Sequence, residues 1–340
     1  MEYLYGSKKD FLDYLNSINK KDKIAIISHN DLDGIASALL MHQILKQKKK
    51  KVSSFNFVNY SKGMFEQPEK KFKKGTNKVL ILDISISADL EGFNKLKEKY
   101  DTFVIDHHPY EIKGENIIKT KTEDCATFAL FDLAKNDFNL KKWEWLVCAT
   151  MVAEFSFKSK SNFEFIKSHY PKVVLEDIYN SELGEISKKI ASSLICFKGK
   201  EKKVFNLILN NKLKRLNKYS ELVELEIKNW IDKFKKEAEF YSNKNLYFYY
   251  ASPKYSITSA IVTSLSVKEP DKTFVFISDI KDEPDFVKVS SRNQTGGDMN
   301  LLMKKGIEGL ENASGGGHVP AAAARFLKKD LQKFKENLLK

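Results

Sequence analysis

Through the first half of the chain, short runs that are apolar almost throughout alternate with segments whose apolar residues recur every three or four positions. KIAIISH, SSFNFVNY, KVLILDIS and TFVIDHH are of the first kind, the pattern of strands covered on both faces. GIASALLMHQILK, ADLEGFNKLKEKY, TFALFDLA and WEWLVCATMVAEF are of the second, with helical spacing. Strand alternating with helix predicts an α/β domain built on a parallel sheet, placed at residues 1–172. From about Val173 to Glu239 the pattern turns helical and highly charged, which predicts a helical connector over 173–239. A second α/β segment follows, with strands at NLYFYYAS, KTFVFISDI and DFVKVSSR, helices at SITSAIVTSLSV and DMNLLMKKGIEGL, and then a glycine cluster. This predicts a smaller α/β domain over 240–340.

Composition narrows the class. A chain of 340 residues with 42% hydrophobic residues can bury a substantial core and exceeds what one core usually serves. No apolar run approaches the roughly 18 residues of a membrane span, and MEYLYGSKKDFLDYL lacks the layout of a secretory signal, so the expected location is the cytoplasm. Cys125, Cys148 and Cys196 are odd in number, far apart and set among apolar residues, which argues for thiols and against a disulfide framework or zinc cluster. The net charge of +13 fits an anionic partner such as nucleic acid. Arginine occurs only at Arg215, Arg292 and Arg325, in a chain otherwise basic through lysine.

In open α/β sheets the crevice beyond the carboxyl ends of the strands is where ligands bind. Three predicted strand ends share one character there. The first carries His29, Asp31 and Asp33 in SHNDLDG; KVLILDIS ends on Asp83; TFVIDHH ends on Asp106, His107 and His108. Crowded carboxylates repel one another and resist ionisation, so such a cluster calls for a cation. Histidine nitrogens mixed with carboxylate oxygens and no thiolate suit Mn2+, with Mg2+ or Co2+ as substitutes, and the ligands suffice for two ions.

With SHNDLDGIAS, LDIS, IDHH and SGGGHVPAAAARF in this order between Ser28 and Phe326, the sequence resembles the DHH phosphoesterase family with its associated C-terminal domain, in its nanoRNase and RecJ-like branch. The resemblance implies a two-manganese site, with His29 and Asp31 on one ion, Asp33 and His107 on the other, and Asp83 bridging. It also implies that His108 faces the substrate phosphate and that Asp106 supports the histidines, so that Asp83, Asp106 and His108 are the catalytic set. Where the family's fourth motif offers a further metal-binding aspartate, this chain supplies Glu154, which keeps the charge on a longer arm. Arg292, Gly315, Gly316, Gly317 and His318 are the implied substrate-binding residues of the second domain. Asn293 and Asn300 stand near them as candidates for sugar or base contacts, and Arg325 as a structural anchor. The implied active site is a cleft between the two domains. The implied reaction is two-metal hydrolysis of short single-stranded RNA or DNA, linear or cyclic dinucleotides, or adenosine bisphosphate. A RecJ-like exonuclease on longer strands is the alternative, followed by a non-catalytic nucleotide sensor. No membrane partner is expected, and the oligomeric state, a homodimer included, is left open.

Overall fold

The computed structural model describes residues 1–61 and 63–340, and of His318 the backbone alone. The chain divides into two compact units, Met1–Ser220 and Glu221–Lys340.

In the first unit six strands form one sheet: β1 (Tyr3–Tyr5), β2 (Ile24–His29), β3 (Val52–Val58), β4 (Lys78–Leu82), β5 (Asp101–Asp106) and β6 (Ile117–Thr120), in the order β1-β6-β5-β4-β2-β3. The strands β2 to β6 are parallel and β1 is added antiparallel at the β6 edge. The apolar runs are apolar throughout because both faces are covered. Ile24 and Ile26 enter one core with Leu80, Leu82, Phe103 and Ile105, whereas Ala25 and Ile27 enter the other with Val79, Ile81 and Val104. The helix Leu32–Gln47 lies in the larger core and is buried nearly all round, which explains why it is apolar beyond a single stripe. The order places β3 on one side of β2 and β4 on the other. The chain therefore reverses direction between β2 and β4, the switch point at which α/β sheets open a crevice.

Residues 173–239, expected as a connector, are divided between the units. The helices Glu182–Cys196 and Lys202–Leu209 place Leu183, Ile190, Val204, Phe205 and Ile208 in the larger core of the first unit. The boundary between units falls inside the helix Asn217–Glu237, whose Phe234 packs within the second unit against Phe274 and Phe276.

The second unit is built on β7 (Glu239–Tyr241), β8 (Leu246–Tyr250), β9 (Thr273–Ile280), β10 (Glu283–Arg292), β11 (Ser314–His318) and β12 (Ala321–Leu327), in the order β11-β12-β10-β9-β8-β7. Only β8 and β9 run parallel, so this sheet differs from the first in being largely antiparallel. The glycine cluster is not a turn. Its residues form the edge strand β11, and the helix Met299–Gly306 comes so near that a Cβ on Gly315 would press on Ile307 and the Met303 carbonyl. Cys125, Cys148 and Cys196 are free thiols, and among the described residues no helix is long and apolar enough to cross a membrane.

Gly34 sits where the helix after β2 turns back over its own strand. A Cβ there would overlap the carbonyl oxygen of His29. Gly34→Ala adds a better helix former, yet it should destabilise the protein by about 1–3 kcal/mol, because either the strand end or the helix must move. A lower melting temperature by circular dichroism is expected, and a raised one would show that the close approach does not matter.

Candidate metal centre

The three strand ends converge. β2, β4 and β5 are adjacent and parallel, so their carboxyl ends lie side by side at the switch point. Beyond β2, Asp31 caps the following helix, its Oδ1 accepting the Gly34 N–H at 3.0 Å. Its Oδ2 is left facing His29, with Nδ1 2.7 Å away. That histidine nitrogen is buried, and its close contact is with the carboxylate rather than with a well-formed hydrogen-bond partner among the described residues.

Asp83 follows β4 and takes a left-handed backbone conformation, φ 57°, which aspartate tolerates better than most residues. Its side chain is 1% exposed, and among the described residues neither carboxylate oxygen has a hydrogen-bond partner. The two oxygens look to different sides. Oδ2 is 3.7 Å from His29 Nδ1, whereas Oδ1 is 3.5 Å from His107 Nε2 and 3.9 Å from His108 Nδ1. Both ring nitrogens of buried His107 also lack partners among the described residues. A buried carboxylate without a donor is costly, and native structures rarely keep one. Its neighbours are nitrogens that can ligate a metal. The donor set therefore fits divalent cations, and two groups sharing Asp83 could each hold one: His29, Asp31 and Asp83, and Asp83, His107 and His108.

Asp33 and Glu154 stand outside those two groups. Fully buried Asp33 accepts from the Ala126 and Thr127 N–H at 2.7 and 2.8 Å, at the start of the helix Ala126–Ala134, and its Oδ2 lies 3.8 Å from His107 Nε2. Burial, then the charge of Asp83, pushes its carboxyl up to about 7. Half-buried Glu154 ends the helix Glu144–Ala153, and burial followed by the charges of Asp31, Asp33 and Asp83 raises its carboxyl well above the ordinary value. Burial works against protonation of His29 and His107, yet the facing carboxylates override it and raise both: chiefly Asp31 for His29, and Asp83 for His107.

Asp106 is paired differently. Its Oδ1 accepts from His108 Nδ1 at 2.8 Å and its Oδ2 from the His108 backbone N–H at 3.3 Å. A residue that the strand-end pattern did not single out completes this corner. Tyr60, two residues past β3, accepts the Ser85 N–H at 3.0 Å and reaches His108 Nε2 at 3.1 Å. The signal for it was its place just beyond a fourth parallel strand end, hidden because aromatic residues also fill cores.

In the second unit Arg292 ends β10 half-buried. Its guanidinium donates to the Ser291 carbonyl and the Ser259 hydroxyl, both at 2.8 Å, and among the described residues no carboxylate pairs with it. Gly315, Gly316 and Gly317 run along the exposed edge of the sheet, and the Gly317 N–H donates to Asn300 Oδ1 at 3.2 Å. The side chain of His318 lies outside what is described. Asn293 differs from expectation. It is buried, its Oδ1 accepts the N–H groups of Thr295, Gly296 and Gly297 at 3.0 Å each, and its Nδ2 donates to Thr273, so it shapes the loop after β10. Arg325 pairs with Glu283 and stacks on Phe286 at 3.5 Å, which makes it an anchor between strands.

Residues 23–179 match the DHH family, N-terminal domain, whereas no curated protein matches the chain. Among solved structures, the chain is similar to exonuclease RecJ bound to manganese, with a TM-score of 0.71 at 13% identity over 97% of this chain and 92% of that one. RecJ of Thermus thermophilus in complex with Mn2+ gives 0.73 at 13% identity over 97% of this chain and 53% of that one, so the chain spans about half its length. The DHH domain of a member of a ribosomal protein family gives 0.69 at 16% identity, over 98% and 89% of the two chains. The likeness in fold covers both units, and the sequence match covers the strands and helices that carry His29, Asp31, Asp83, His107 and His108: residues 23–179 match the DHH family, N-terminal domain, and the chain as a whole is similar in fold to proteins that carry it.

Proposed function

We propose that the chain is a manganese-dependent phosphodiesterase that hydrolyses short single-stranded oligonucleotides or dinucleotides to mononucleotides. The observation that carries this reading is Asp83, a buried carboxylate with no donor on either oxygen among the described residues, set between unbonded histidine nitrogens. In the proposal His29, Asp31, Asp83 and His107 hold two divalent cations, with Asp33 and Glu154 as further carboxylates beside them. Cations held there supply Lewis-acid stabilisation of charge on the phosphoryl oxygens and acidify water for attack at phosphorus. The chain's own part is positional: Asp106 orients His108 toward the phosphate, and the surrounding core keeps bulk water from the carboxylates. Arg292 supports binding of a terminal phosphate, because a half-buried guanidinium without a counter-ion among the described residues retains a free edge for an anion. The charge of +13 favours a second reading, exonuclease action on longer strands as in RecJ. Digestion of end-labelled RNA and DNA of two to about twenty-five nucleotides, with and without manganese, separates the two by length preference. No hydrolysis of any substrate would leave a nucleotide sensor.

Asp83→Asn keeps a residue that tolerates the left-handed backbone but removes the charge. We expect a folded protein that loses manganese binding in calorimetry and at least a hundredfold in hydrolysis. Near-normal values for both would remove the basis of the assignment.

The proton balance gives a sign. His29, His107, Asp33 and Glu154 all have folded-state values above their unfolded ones. The stability that their bound protons contribute is present below the unfolded values and lost as pH rises through the raised ones. The melting temperature of chelated protein should therefore fall as pH rises through about 7 toward the alkaline side, while the gain on adding manganese grows, because the cation replaces protons. Differential scanning fluorimetry across that range tests this, and a metal-free protein that becomes more stable toward the alkaline end would contradict it.

Arg292→Ala should raise KM for a dinucleotide roughly ten- to a hundredfold, the worth of a charge-assisted contact, and spare a small chromogenic phosphodiester that has no terminal phosphate. Arg292→Lys should recover only part, since a point charge replaces a fork. Equal losses on both substrates would place Arg292 outside phosphate recognition.

A further inference from the structure

The positive charge of the chain is concentrated in one place. Between Phe197 and Tyr219 eight residues are lysine or arginine, all of them exposed, and the only acid, Glu201, is buried, its Oε1 accepting the Gly199 N–H at 2.6 Å. The local fold turns these cations outward together. The helix Lys202–Leu209 commits Val204, Phe205 and Ile208 to the larger core of the first unit, where Phe205 packs on Phe55 and Phe57 of β3 at 4.6 and 5.7 Å between centroids. Its apolar face is thereby used up, and Lys202 and Lys203 are left to solvent. The turn at Leu213–Leu216 buries Leu216 and exposes Lys214 and Arg215, and Ser193 of the helix Glu182–Cys196 fastens it by donating to the Leu216 carbonyl at 3.3 Å.

Two rings stand among these cations. Phe197 closes the helix Glu182–Cys196 and Tyr219 lies in the first turn of the helix Asn217–Glu237; they meet at 4.4 Å between centroids, both half-buried, so each keeps part of its surface in solvent. Lys203 Nζ lies 5.5 Å from the centre of the Phe197 ring and Lys218 Nζ 4.8 Å from that of Tyr219. We propose that residues 197–219 form a docking surface for single-stranded nucleic acid, with phosphates on the lysines and an unstacked base against the Phe197–Tyr219 pair. An anionic membrane fits less well, because the helix that would enter it has no apolar face left to bury. A duplex fits less well, because its bases already stack on one another. Phe57, which Phe205 touches, pairs across the sheet with Ser28, the residue before His29, so the basic helix lies along the strand next to the one that leads into the candidate metal centre. The surface goes beyond the phosphodiesterase reading: hydrolysis of a dinucleotide does not need it, and binding to it needs no metal.

The test is fluorescence anisotropy of chelated protein with labelled oligouridylate and oligothymidylate of about twenty nucleotides, titrated over a range of salt concentrations. A quadruple variant, Lys200→Gln with Lys202→Gln, Lys212→Gln and Lys214→Gln, changes only exposed side chains and should keep the melting temperature. Its affinity at ~0.1 M salt should fall at least about tenfold, with a shallower dependence on salt, because fewer counterions are released. Tyr219→Leu keeps an apolar side chain in the half-buried position and removes the aromatic face, so affinity should fall roughly fivefold or more while the salt dependence stays as it was. Turnover of a dinucleotide with manganese should be unchanged in the quadruple variant. Unchanged strand affinity in either variant overturns the proposal, and so does a dinucleotide turnover that falls as far as the affinity. Binding of a duplex of the same length, or of phosphatidylserine vesicles, as tightly as the single strand overturns it as well. If the wild type hydrolyses nothing, the functional reading fails by itself, and the strand titrations still decide whether this surface binds nucleic acid.

Discussion

Asp31, Asp33, Asp83, Asp106 and Glu154 are brought to one end of one sheet, where each raises the cost of ionising its neighbours, and the architecture of the first unit can be followed as a series of answers to that repulsion. Asp33 is set at the start of the helix Ala126–Ala134, where two backbone N–H groups and the helix dipole meet it. Asp31 spends one oxygen on the cap of its own helix and turns the other to His29. Asp106 is bonded to His108 twice. Asp83, the most central of the set, is left without a hydrogen-bond donor from the described residues on either oxygen. The sheet order makes this arrangement unavoidable, since β2, β4 and β5 are neighbours and all point their carboxyl ends the same way.

Much of this was legible because the relevant signals are local. A parallel strand covered on both faces must be apolar throughout, so a polar residue at its end stands out, and His29, Asp83 and Asp106 were visible for that reason. Tyr60 was not, because an aromatic residue closing SSFNFVNY reads equally well as core. The edge strands β1 and β11 were missed on different physical grounds: β1 is three residues long, and the glycines of β11 have no side-chain pattern to alternate. Asn293 looked like a binding residue from its surroundings, yet three consecutive N–H groups already occupy its oxygen, a fact that depends on how the chain turns after β10.

The second unit poses the inverse electrostatic problem. There a guanidinium is drawn partly out of water with a carbonyl and a hydroxyl as its partners, and burial pulls it below its usual value. Neutral acceptors orient a cation without cancelling it. The strand ends of the first unit thus gather carboxylates of which Asp83 has no donor, and the second unit holds a guanidinium with no carboxylate paired to it among the described residues.

The backbone at Asp83 limits which residues could ever stand there. Its left-handed conformation favours glycine, asparagine and aspartate, and the two facing groups of nitrogens ask for an anion with two oxygens. Of the standard residue types only aspartate meets both demands at little cost, because glutamate has the charge without the ease at positive φ. Glu154 is under no such restriction: it closes a helix at φ −88°, ψ 6°, where a carboxylate can be lengthened by one carbon without disturbing the main chain. Sequence drift across this site should therefore be uneven, with position 154 free to carry either aspartate or glutamate and position 83 held to a single letter.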